Sequence, residues 1–253
     1  MNIVVIGGTG LIGSKLVAGL EKHGHRAIAA SPASGVNTLT GAGLEDVLTD
    51  AEVVIDVSNS PSFDAPAVGD FFTTSTTNLL NASRAAGIRH YVALSVVGTD
   101  RLSESPYFRA KIAQEGLIVD GGLPYTIVHA TQFFEFVTSI ANSATIDGDV
   151  HLAHVGIRPM AADDVAAAVG RAAVSEPVNG IVEVAGPEEW YLDDLVRTGL
   201  AFRDDARPVR TDPAARYFGA LLGPDTLLPG PDAKLASTRF ETWLPANPVP
   251  VAR

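Results

Sequence analysis

The first fourteen residues constrain the fold of this chain more than any other stretch. Residues 3–6 are all β-branched, a run too short for a helix and typical of a strand buried on both faces. Gly7, Gly10 and Gly13 follow, and apolar side chains at helical spacing begin directly after them. This order of strand, glycine turn and helix points the free N–H groups of a helix N-terminus at the space beyond the strand, which favours an anion there. The simpler alternative is a tight turn in which glycine only permits a positive φ.

The glycine spacing predicts a dinucleotide-binding loop, because backbone without side chains lets a pyrophosphate approach closely. The cofactor-binding candidates in this loop are Gly7, Thr9, Gly10, Leu11, Ile12 and Gly13. Ser58, which opens a Ser- and Pro-rich loop after a strand predicted at residues 52–57, is a further cofactor-binding candidate.

Predicted strands and helices alternate along the first half of the chain. We place strands at residues 26–30, 36–39, 52–57, 90–97 and 125–129, and helices at residues 44–48, 70–86 and 106–120. Ser105 is the expected N-cap of the last of these helices, with Pro106 at its first position. The alternation predicts an α/β fold, a Rossmann-type doubly wound parallel sheet with helices on both faces.

The alternation loosens after about residue 130. We predict a helix with an acidic cap near Asp163, a strand at residues 181–185, and helices at residues 192–202 and 238–244. Ligands of doubly wound sheets bind beyond the carboxyl ends of the strands, so residues 131–160 and 187–244 are expected to form a small lobe over a substrate. No long linker interrupts the chain, and residues 1–253 are predicted to form one domain.

Composition narrows the class of protein. The chain of 253 residues is 46% apolar and 19% charged, an ordinary globular balance, and it contains no cysteine for a disulfide, a thiolate nucleophile or a cysteine-type zinc site. A net charge of −11 without any basic stripe argues against a nucleic-acid partner. No apolar run approaches the roughly 20 residues of a membrane span. We therefore expect a cytoplasmic monomer or homodimer that acts on a small molecule and does not contact membranes.

Three residues form the predicted catalytic group, namely Ser95, Tyr107 and Lys111. Tyr107 and Lys111 are four residues apart on a predicted helix and should project from the same face. An ammonium beside a phenol lowers the phenol pKa, so Tyr107 could give a proton to a carbonyl oxygen or take one from an alcohol. Ser95, at a strand end, is expected to bond the same oxygen, and Lys111 to reach the ribose of a nicotinamide nucleotide. The alternative is a surface tyrosine and a solvated lysine.

The chain resembles the short-chain dehydrogenase/reductase superfamily, in its atypical or extended branch that includes the NmrA-like proteins. The resemblance lies in residues 7–13, in Ser95, in the Tyr-Phe-Arg-Ala-Lys motif of residues 107–111, and in the helix start at residues 163–166. It implies NAD(P)-dependent hydride transfer with Ser95, Tyr107 and Lys111 as the catalytic set. Members of the superfamily often carry an asparagine in the helix before the strand at residues 90–97; neither Asn78 nor Asn81 is assigned that role here.

The second predicted strand indicates which nicotinamide nucleotide binds. Proteins of this kind that bind NAD place a carboxylate at the end of that strand to hold the ribose 2′-hydroxyl. Residues 26–44 contain no Asp or Glu, and Ser31 stands at that position. Because the hydroxyls of Ser31 and Ser34 could donate to a 2′-phosphate, NADP is the predicted cofactor, with NAD remaining possible.

Other candidate sites are weaker. His23 and His25 are expected to be solvated at a helix end, and His151 and His154 to lie in a polar loop without a suitably placed acidic partner, so no metal site is predicted. His129 ends a predicted strand and is either an interior histidine or a nicotinamide contact. Aromatic residues at positions 133, 134 and 136 form either core or an apolar pocket wall. No Gly-x-Ser-x-Gly motif of a hydrolase is present.

These inferences lead to one functional prediction with alternatives. We expect an NAD(P)H-dependent oxidoreductase that transfers a hydride between the nicotinamide and a small carbonyl or alcohol substrate. One alternative is a non-catalytic NADP(H)-sensing regulator of the NmrA type. Another is an epimerase, dehydratase or isomerase that uses the bound cofactor transiently.

Overall fold

The computed structural model describes residues 1–247, and its strands are short and numerous. In chain order they are β1 (Asn2–Ile6), β2 (Arg26–Ala30), β3 (Val53–Asp56), β4 (His90–Val96), β5 (Tyr125–Ala130), β6 (Thr145–Ile146), β7 (Asp149–Leu152), β8 (Gly156–Ile157), β9 (Gly180–Ala185), β10 (Trp190–Tyr191), β11 (Val209–Thr211), β12 (Arg216–Tyr217), β13 (Ala220–Leu221) and β14 (Lys234–Leu235).

The helices alternate with these strands in the first two thirds of the chain. They are α1 (Leu11–Lys22), α2 (Leu44–Leu48), α3 (Ala67–Ala85), α4 (Pro106–Val119), α5 (Val137–Ser143), α6 (Ala162–Val174), α7 (Leu192–Phe202) and α8 (Phe240–Ala246). None of the helices within residues 1–247 combines the length and apolar character that a membrane-spanning segment needs.

A seven-stranded sheet forms the centre of the fold, in the order β2-β1-β3-β4-β5-β9-β14. Every neighbouring pair in it is parallel. The chain runs outward from β1 to β2 and then returns to β3 on the other side of β1, which creates a topological switch point between the carboxyl ends of β1 and β3. The predicted doubly wound α/β fold is confirmed.

Both faces of the sheet are covered by helices, as the unbroken apolar strands require. On one face, Leu16 and Leu20 of α1 pack with Val165 and Val169 of α6 against the sheet. On the other face, Leu79 and Leu80 of α3, Ile118 of α4 and two leucines of α2 form a second core. The glycine loop, which follows β1, therefore lies at the carboxyl edge of a sheet that is covered by helices on both faces.

A third core joins the segments that follow β5. It is built mainly from side chains of α5, β7, β8, α7 and α8, together with Leu102 and Phe108 from the region of α4. Two of the segments pair within small sheets of their own, where β7 lies between β6 and β11 and β8 pairs with β10. β14 instead joins the edge of the central sheet, so residues 187–244 contribute to the sheet as well as to the third core.

The strand predicted at residues 36–39 is wrong. The side-chain oxygen of Asn37 accepts hydrogen bonds from the backbone of Leu39 and Thr40, and the backbone of Gly41 bonds back to Asn37. These contacts close the segment into turns, so the expected third strand is missing and β2 is the edge of the sheet.

Ser105 is the N-cap residue of α4 and Pro106 is its first residue, as predicted, but the acidic cap predicted near Asp163 is wrong. The Ser105 hydroxyl makes no capping hydrogen bond and is buried without a partner among the described residues. At α6, Asp163 lies inside the first turn and pairs with Lys15, while the carboxylate of Glu135 bonds the N–H of Ala162. A residue 27 positions upstream in the chain thus caps α6, which local spacing could not reveal.

Candidate active site

The glycine loop is built so that its backbone forms a cradle. Gly7 directly follows β1 with a φ of +78°, a conformation that favours glycine, and a Cβ placed on it would lie 2.9 Å from the backbone nitrogen of Ser58. A Cβ on Gly13 would lie 2.1 Å from the carbonyl oxygen of Gly7. Gly10 caps α1 without a side chain, and the first turn of α1 holds no acidic residue. The first N–H groups of α1 are therefore available to an external anion.

The remaining loop candidates differ in what they expose. Thr9 and Leu11 are exposed beside the cradle, whereas the Ile12 side chain is buried in the core between α1 and the sheet. Any contact from Ile12 to a pyrophosphate would consequently come from its backbone.

Ser31 and Ser34 follow the carboxyl end of β2, where a nucleotide ribose is expected, but only one hydroxyl is free. The Ser31 hydroxyl is buried and has no hydrogen-bond partner within residues 1–247. The Ser34 hydroxyl accepts a hydrogen bond from the Ser31 backbone and donates to the carbonyl of Ser31 at 3.0 Å. Since Ser34 has a single hydroxyl proton, its predicted donation to a 2′-phosphate would first have to break that bond.

Ser58 lies across the switch point from Gly7 and is held by Asp56. The backbone N–H and the hydroxyl of Ser58 both donate to Oδ1 of Asp56, at 3.0 and 2.6 Å. Asp56 ends β3, is fully buried, and pairs in register with Ile6 of β1. The second carboxylate oxygen, Oδ2, accepts from the Gln114 amide at 3.2 Å and from the Tyr91 hydroxyl at 3.3 Å.

Lys111 is buried at the end of this network. Its Nζ donates to the Leu94 carbonyl at 3.0 Å and to the side-chain oxygen of Gln114, and lies 4.7 Å from the centre of the Phe72 ring. Burial lowers the pKa of Lys111 to about 8, although the carboxylates of Asp56 and Glu115 oppose the change. Hydrogen bonds thus connect Lys111, through Gln114 and Asp56, to Ser58 beside the glycine loop.

Ser95 is part of a second buried cluster. Its hydroxyl donates to Glu115 of α4, and Nε2 of His129 lies 3.0 Å from the same carboxylate oxygen. Ser95 and His129 are register partners on β4 and β5, so both side chains face α4. Burial raises the pKa of Glu115, but the bonds from His129 and Ser95 and the charge of Lys111 outweigh it and lower the pKa overall.

Tyr107 lies among aromatic rings. Its ring centre is 5.2 Å from that of Phe63, 6.0 Å from Phe72 and 6.3 Å from Phe218. Burial raises the pKa of Tyr107 well above its usual value, with no lowering by Lys111. The prediction that the lysine would lower the tyrosine pKa is wrong, because the Nζ of Lys111 bonds to Leu94 and Gln114.

The three predicted catalytic residues are thus near one another in the fold but are not bonded together. Tyr107 and Lys111 share contact with Phe72, while the Ser95 proton is engaged by Glu115. Within residues 1–247 no hydrogen bond joins any two of the three. Ser95 can accept a hydrogen bond as it stands, but it can donate to a substrate oxygen only after releasing Glu115.

Gln132 was missed by the sequence reasoning and lies next to this region. It follows β5 and is 6% exposed, and both polar atoms of its side chain lack a partner among the described residues. Its amide faces the Tyr217 hydroxyl without bonding in good geometry. Burial and the nearby Tyr107 raise the pKa of Tyr217, and the Gln132 side chain opposes that rise. The only sequence signal for Gln132 is its place just after a buried strand.

The expectation that His151 and His154 lack acidic partners is wrong. Nδ1 of His154 lies 2.8 Å from the buried carboxylate of Asp193, and Nδ1 of His151 lies 3.4 Å from Asp212. Parallel pairing of β11 with β7 and the position of α7 bring these distant residues together. His154, Asp193 and Asp194 could offer ligand atoms within 4.8 Å of one another, but Asp193 also accepts from Thr211 and Asp194 pairs with Arg197.

The phenylalanine cluster after β5 divides between core and surface. Phe134 is buried, with ring centres of Phe240 and Trp243 at 5.0 and 5.4 Å. Phe136 is 43% exposed and stacks on Phe133. Phe134 therefore belongs to the third core.

Comparisons with known proteins bear on the fold. No family model matches the chain. A photosystem II assembly factor, Ycf39 of Cyanophora paradoxa, is 25% identical over 217 residues, which cover 78% of this chain and about two thirds (67%) of that protein.

Two solved structures have the same fold as this chain. A short-chain dehydrogenase/reductase superfamily protein of Agrobacterium tumefaciens with bound NAD superposes with a TM-score of 0.65 at 19% identity, covering 84% of this chain and 85% of that one. The NADPH-dependent quinone oxidoreductase QOR2 of Escherichia coli, complexed with NADPH, gives a TM-score of 0.64 at 22% identity, covering 83% and 77%. These likenesses confirm the predicted Rossmann-type fold.

Proposed function

We propose that this chain, which has the fold of the short-chain dehydrogenase/reductase superfamily, is an NADPH-dependent oxidoreductase that reduces a small carbonyl compound. The observation that carries the proposal is the hydrogen-bonded chain from Lys111 through Gln114 and Asp56 to Ser58. These hydrogen bonds connect α4, the helix that carries Tyr107, to the glycine loop. A general acid and a dinucleotide cradle are thereby fixed relative to each other by buried contacts.

The residues present fit a nicotinamide dinucleotide phosphate. The N–H groups at the start of α1 and the Gly7–Gly13 cradle suit the pyrophosphate, and the unpartnered Ser31 hydroxyl suits a 2′-phosphate. The absence of Asp and Glu from residues 26–44 favours NADP over NAD, since a carboxylate there would repel that phosphate. When bound, the nicotinamide supplies the hydride.

Tyr107 is the proposed acid. The phenol is protonated at neutral pH, and we assign it to give a proton to a carbonyl oxygen in the reductive direction; burial, which raises its pKa, keeps it in the protonated form but makes it a weaker acid. Lys111 is assigned to orient the cofactor ribose, and Ser95 to hold the substrate oxygen once its hydroxyl turns from Glu115.

The test is kinetic. Tyr107→Phe removes the proton donor and should lower kcat by about 10²–10⁴-fold, while the Kd for NADPH stays unchanged. Tyr125→Phe is the matched control, since Tyr125 lies at the start of β5, at the opposite end of the strand from the site. Unchanged turnover in Tyr107→Phe would remove Tyr107 from the mechanism.

A second candidate function is an NADP(H)-sensing module without turnover. It is favoured by the engagement of Lys111 and Ser95 with protein groups, which occupies the Ser95 hydroxyl proton and two of the three N–H donors of Lys111. Calorimetric titration with NADPH, followed by a panel of carbonyl compounds, separates the two. Tight binding without NADPH oxidation across the panel would support the sensor and contradict the reductase. Net conversion of a substrate without net change in nicotinamide absorbance would instead select an epimerase or dehydratase.

A further inference from the structure

Six aromatic residues from four separate parts of the chain meet around Tyr107. We call them the aromatic cluster; they are Phe63, Phe72, Tyr107, Phe108, Tyr217 and Phe218. Phe63 comes from the loop after β3, Phe72 from α3, Tyr107 and Phe108 from α4, and the last two from the β12–β13 turn. No residue of the cluster carries a full charge at neutral pH.

The outer rings of the cluster are held open to solvent. Phe63 is 46% exposed and Phe218 is 39% exposed, yet their ring centres are 5.7 Å apart, and both lie over Tyr107. Exposed apolar surface that is contiguous and assembled from different segments marks a binding site more often than scattered single side chains do. The two rings therefore keep apolar surface exposed next to the proposed acid.

The backbone at Phe218 is strained. Its φ is +48°, in the left-handed region that a bulky residue rarely adopts, and the next residue, Gly219, also has a positive φ of +90°. A glycine or asparagine would adopt this conformation at lower free energy. The turn therefore places a phenylalanine ring over Tyr107 at the expense of local stability, which is a pattern found at ligand-binding sites.

The polar side chain at the inner end of the cluster is Gln132. Its amide is more than nine-tenths buried, and neither the oxygen nor the nitrogen has a partner within residues 1–247. It faces Tyr217, whose ring packs on Phe108 and Phe218 and whose phenol lies near that of Tyr107. A buried amide without a partner is costly unless a ligand completes its hydrogen bonds.

We propose that the aromatic cluster binds an uncharged planar aromatic carbonyl compound, whose ring stacks on Phe63 and Phe218 and whose oxygen accepts a hydrogen bond from the Gln132 amide. The inference rests on the proposed reductase function, for which it names the substrate class. Ring pairs at the spacing seen between Phe63, Tyr107 and Phe218 accept another flat ring by stacking or edge contact. A saturated ring of equal carbon number has a similar size but cannot stack.

Binding is tested on the full chain loaded with NADP, which holds no hydride to transfer. Calorimetric titration with 1,4-naphthoquinone is compared with titration by decalin-1,4-dione, its saturated and non-planar counterpart. We expect the planar compound to bind at least about tenfold more tightly. Equal affinity for the two compounds would overturn the proposal.

The variants locate the site. We expect naphthoquinone binding to weaken about tenfold or more in each of three variants, Phe63→Leu, Phe218→Gly and Gln132→Leu. Because glycine relieves the backbone strain at position 218, a loss of binding in Phe218→Gly cannot be attributed to a destabilised turn. Phe202→Leu is the matched control, because Phe202 ends α7 and is also 46% exposed but lies outside the cluster. Naphthoquinone affinity that is unaffected by Phe63→Leu and Phe218→Gly would contradict the assignment.

Failure of the site and failure of the proposed function give different results. Naphthoquinone binding that depends on Phe63 and Gln132, together with no oxidation of NADPH, would keep the binding site and reject the reductase. Oxidation of NADPH by decalin-1,4-dione but not by naphthoquinone would keep the reductase and reject the aromatic site.

Discussion

Lys111 and Asp56 face each other through the side-chain amide of Gln114, which accepts a hydrogen bond from the lysine and donates one to the carboxylate at 3.2 Å. All three side chains are buried. Asp56 also holds Ser58 against the glycine loop, so one amide links the proposed acid's helix to the proposed nucleotide site. Burying an ammonium and a carboxylate is tolerated because polar partners surround both.

The burial of Lys111 should be visible in the pH dependence of stability. Its pKa falls from 10.5 to about 8 on folding, so the penalty for burying the charged form is fully present below pH 8 and is relieved as the pH rises toward 10.5. Relative to Lys111→Met, the free energy of unfolding of the wild type should therefore rise with pH by up to about 3 kcal/mol. Urea unfolding at about pH 7 and about pH 10 measures this difference. The same comparison with Lys22→Met, which removes an exposed lysine, should show no such slope.

The glycine cradle predicts opposite effects for two substitutions in α1. Gly13→Ala puts a Cβ 2.1 Å from the Gly7 carbonyl oxygen, so the helix must shift away from the loop. We expect the free energy of unfolding to fall by about 1–3 kcal/mol and NADPH binding to weaken. A Cβ on Gly19 meets no atom within 4 Å, and Gly19→Ala should stabilise the helix by about 0.5–1 kcal/mol. Thermal unfolding and NADPH titration of both variants are the measurements. Equal NADPH affinity of Gly13→Ala and the wild type would contradict a nucleotide at this loop.

Ser31 should control the choice of cofactor. Its hydroxyl has no protein partner, so Ser31→Ala should leave the free energy of unfolding nearly unchanged. A lost hydrogen bond to a charged phosphate is worth about 1.5–3 kcal/mol, so the NADPH Kd should rise about 10–100-fold with little change for NADH. Ser31→Asp should invert the preference, because its carboxylate repels the 2′-phosphate. Ser34→Ala is the comparison, since the Ser34 hydroxyl already bonds to the protein backbone. A loss of NADH affinity equal to the loss of NADPH affinity in Ser31→Ala would refute the role of Ser31 in cofactor choice.

Glu115 should be a larger contributor to stability than an exposed glutamate. Glu115→Ala leaves the buried groups of Ser95 and His129 without their shared acceptor, which should cost about 1–3 kcal/mol. Its pKa is lowered below 4.5 in the folded chain, so the contribution is present above the unfolded pKa and is lost as the pH falls through the folded pKa. Denaturant unfolding at neutral and acidic pH measures both effects.

Glu104→Ala is the control for Glu115→Ala. Its ion pair with Arg216 has partners 57% and 53% exposed, and such a pair is worth at most about 1 kcal/mol. Equal destabilisation by Glu115→Ala and Glu104→Ala would show that the Ser95–Glu115–His129 cluster adds little.

The glycine loop, the alternation of β1 to β5 with α1 to α4, and the position of Ser31 after β2 were predicted from the sequence, because each depends on neighbours close in the chain; the short strands of residues 145–157 and 190–235 were not. Residues 36–39 show the limit of that approach. Their composition suits a strand, but the Asn37 side chain binds the following backbone and closes a turn. The helix carrying Tyr107 was likewise predicted correctly, whereas the partner of Lys111 was not.

Sequence by itself determined which residues form the strand, the glycine turn and the helices, because apolar periodicity and glycine geometry are local properties of the chain. Only the tertiary structure decided that Ser95 binds Glu115, that Gln132 is buried without a partner, and that Phe63 and Phe218 meet over Tyr107. Those contacts join segments far apart in the chain. They depend on how sheet register and helix packing bring side chains together, and no short-range pattern records that.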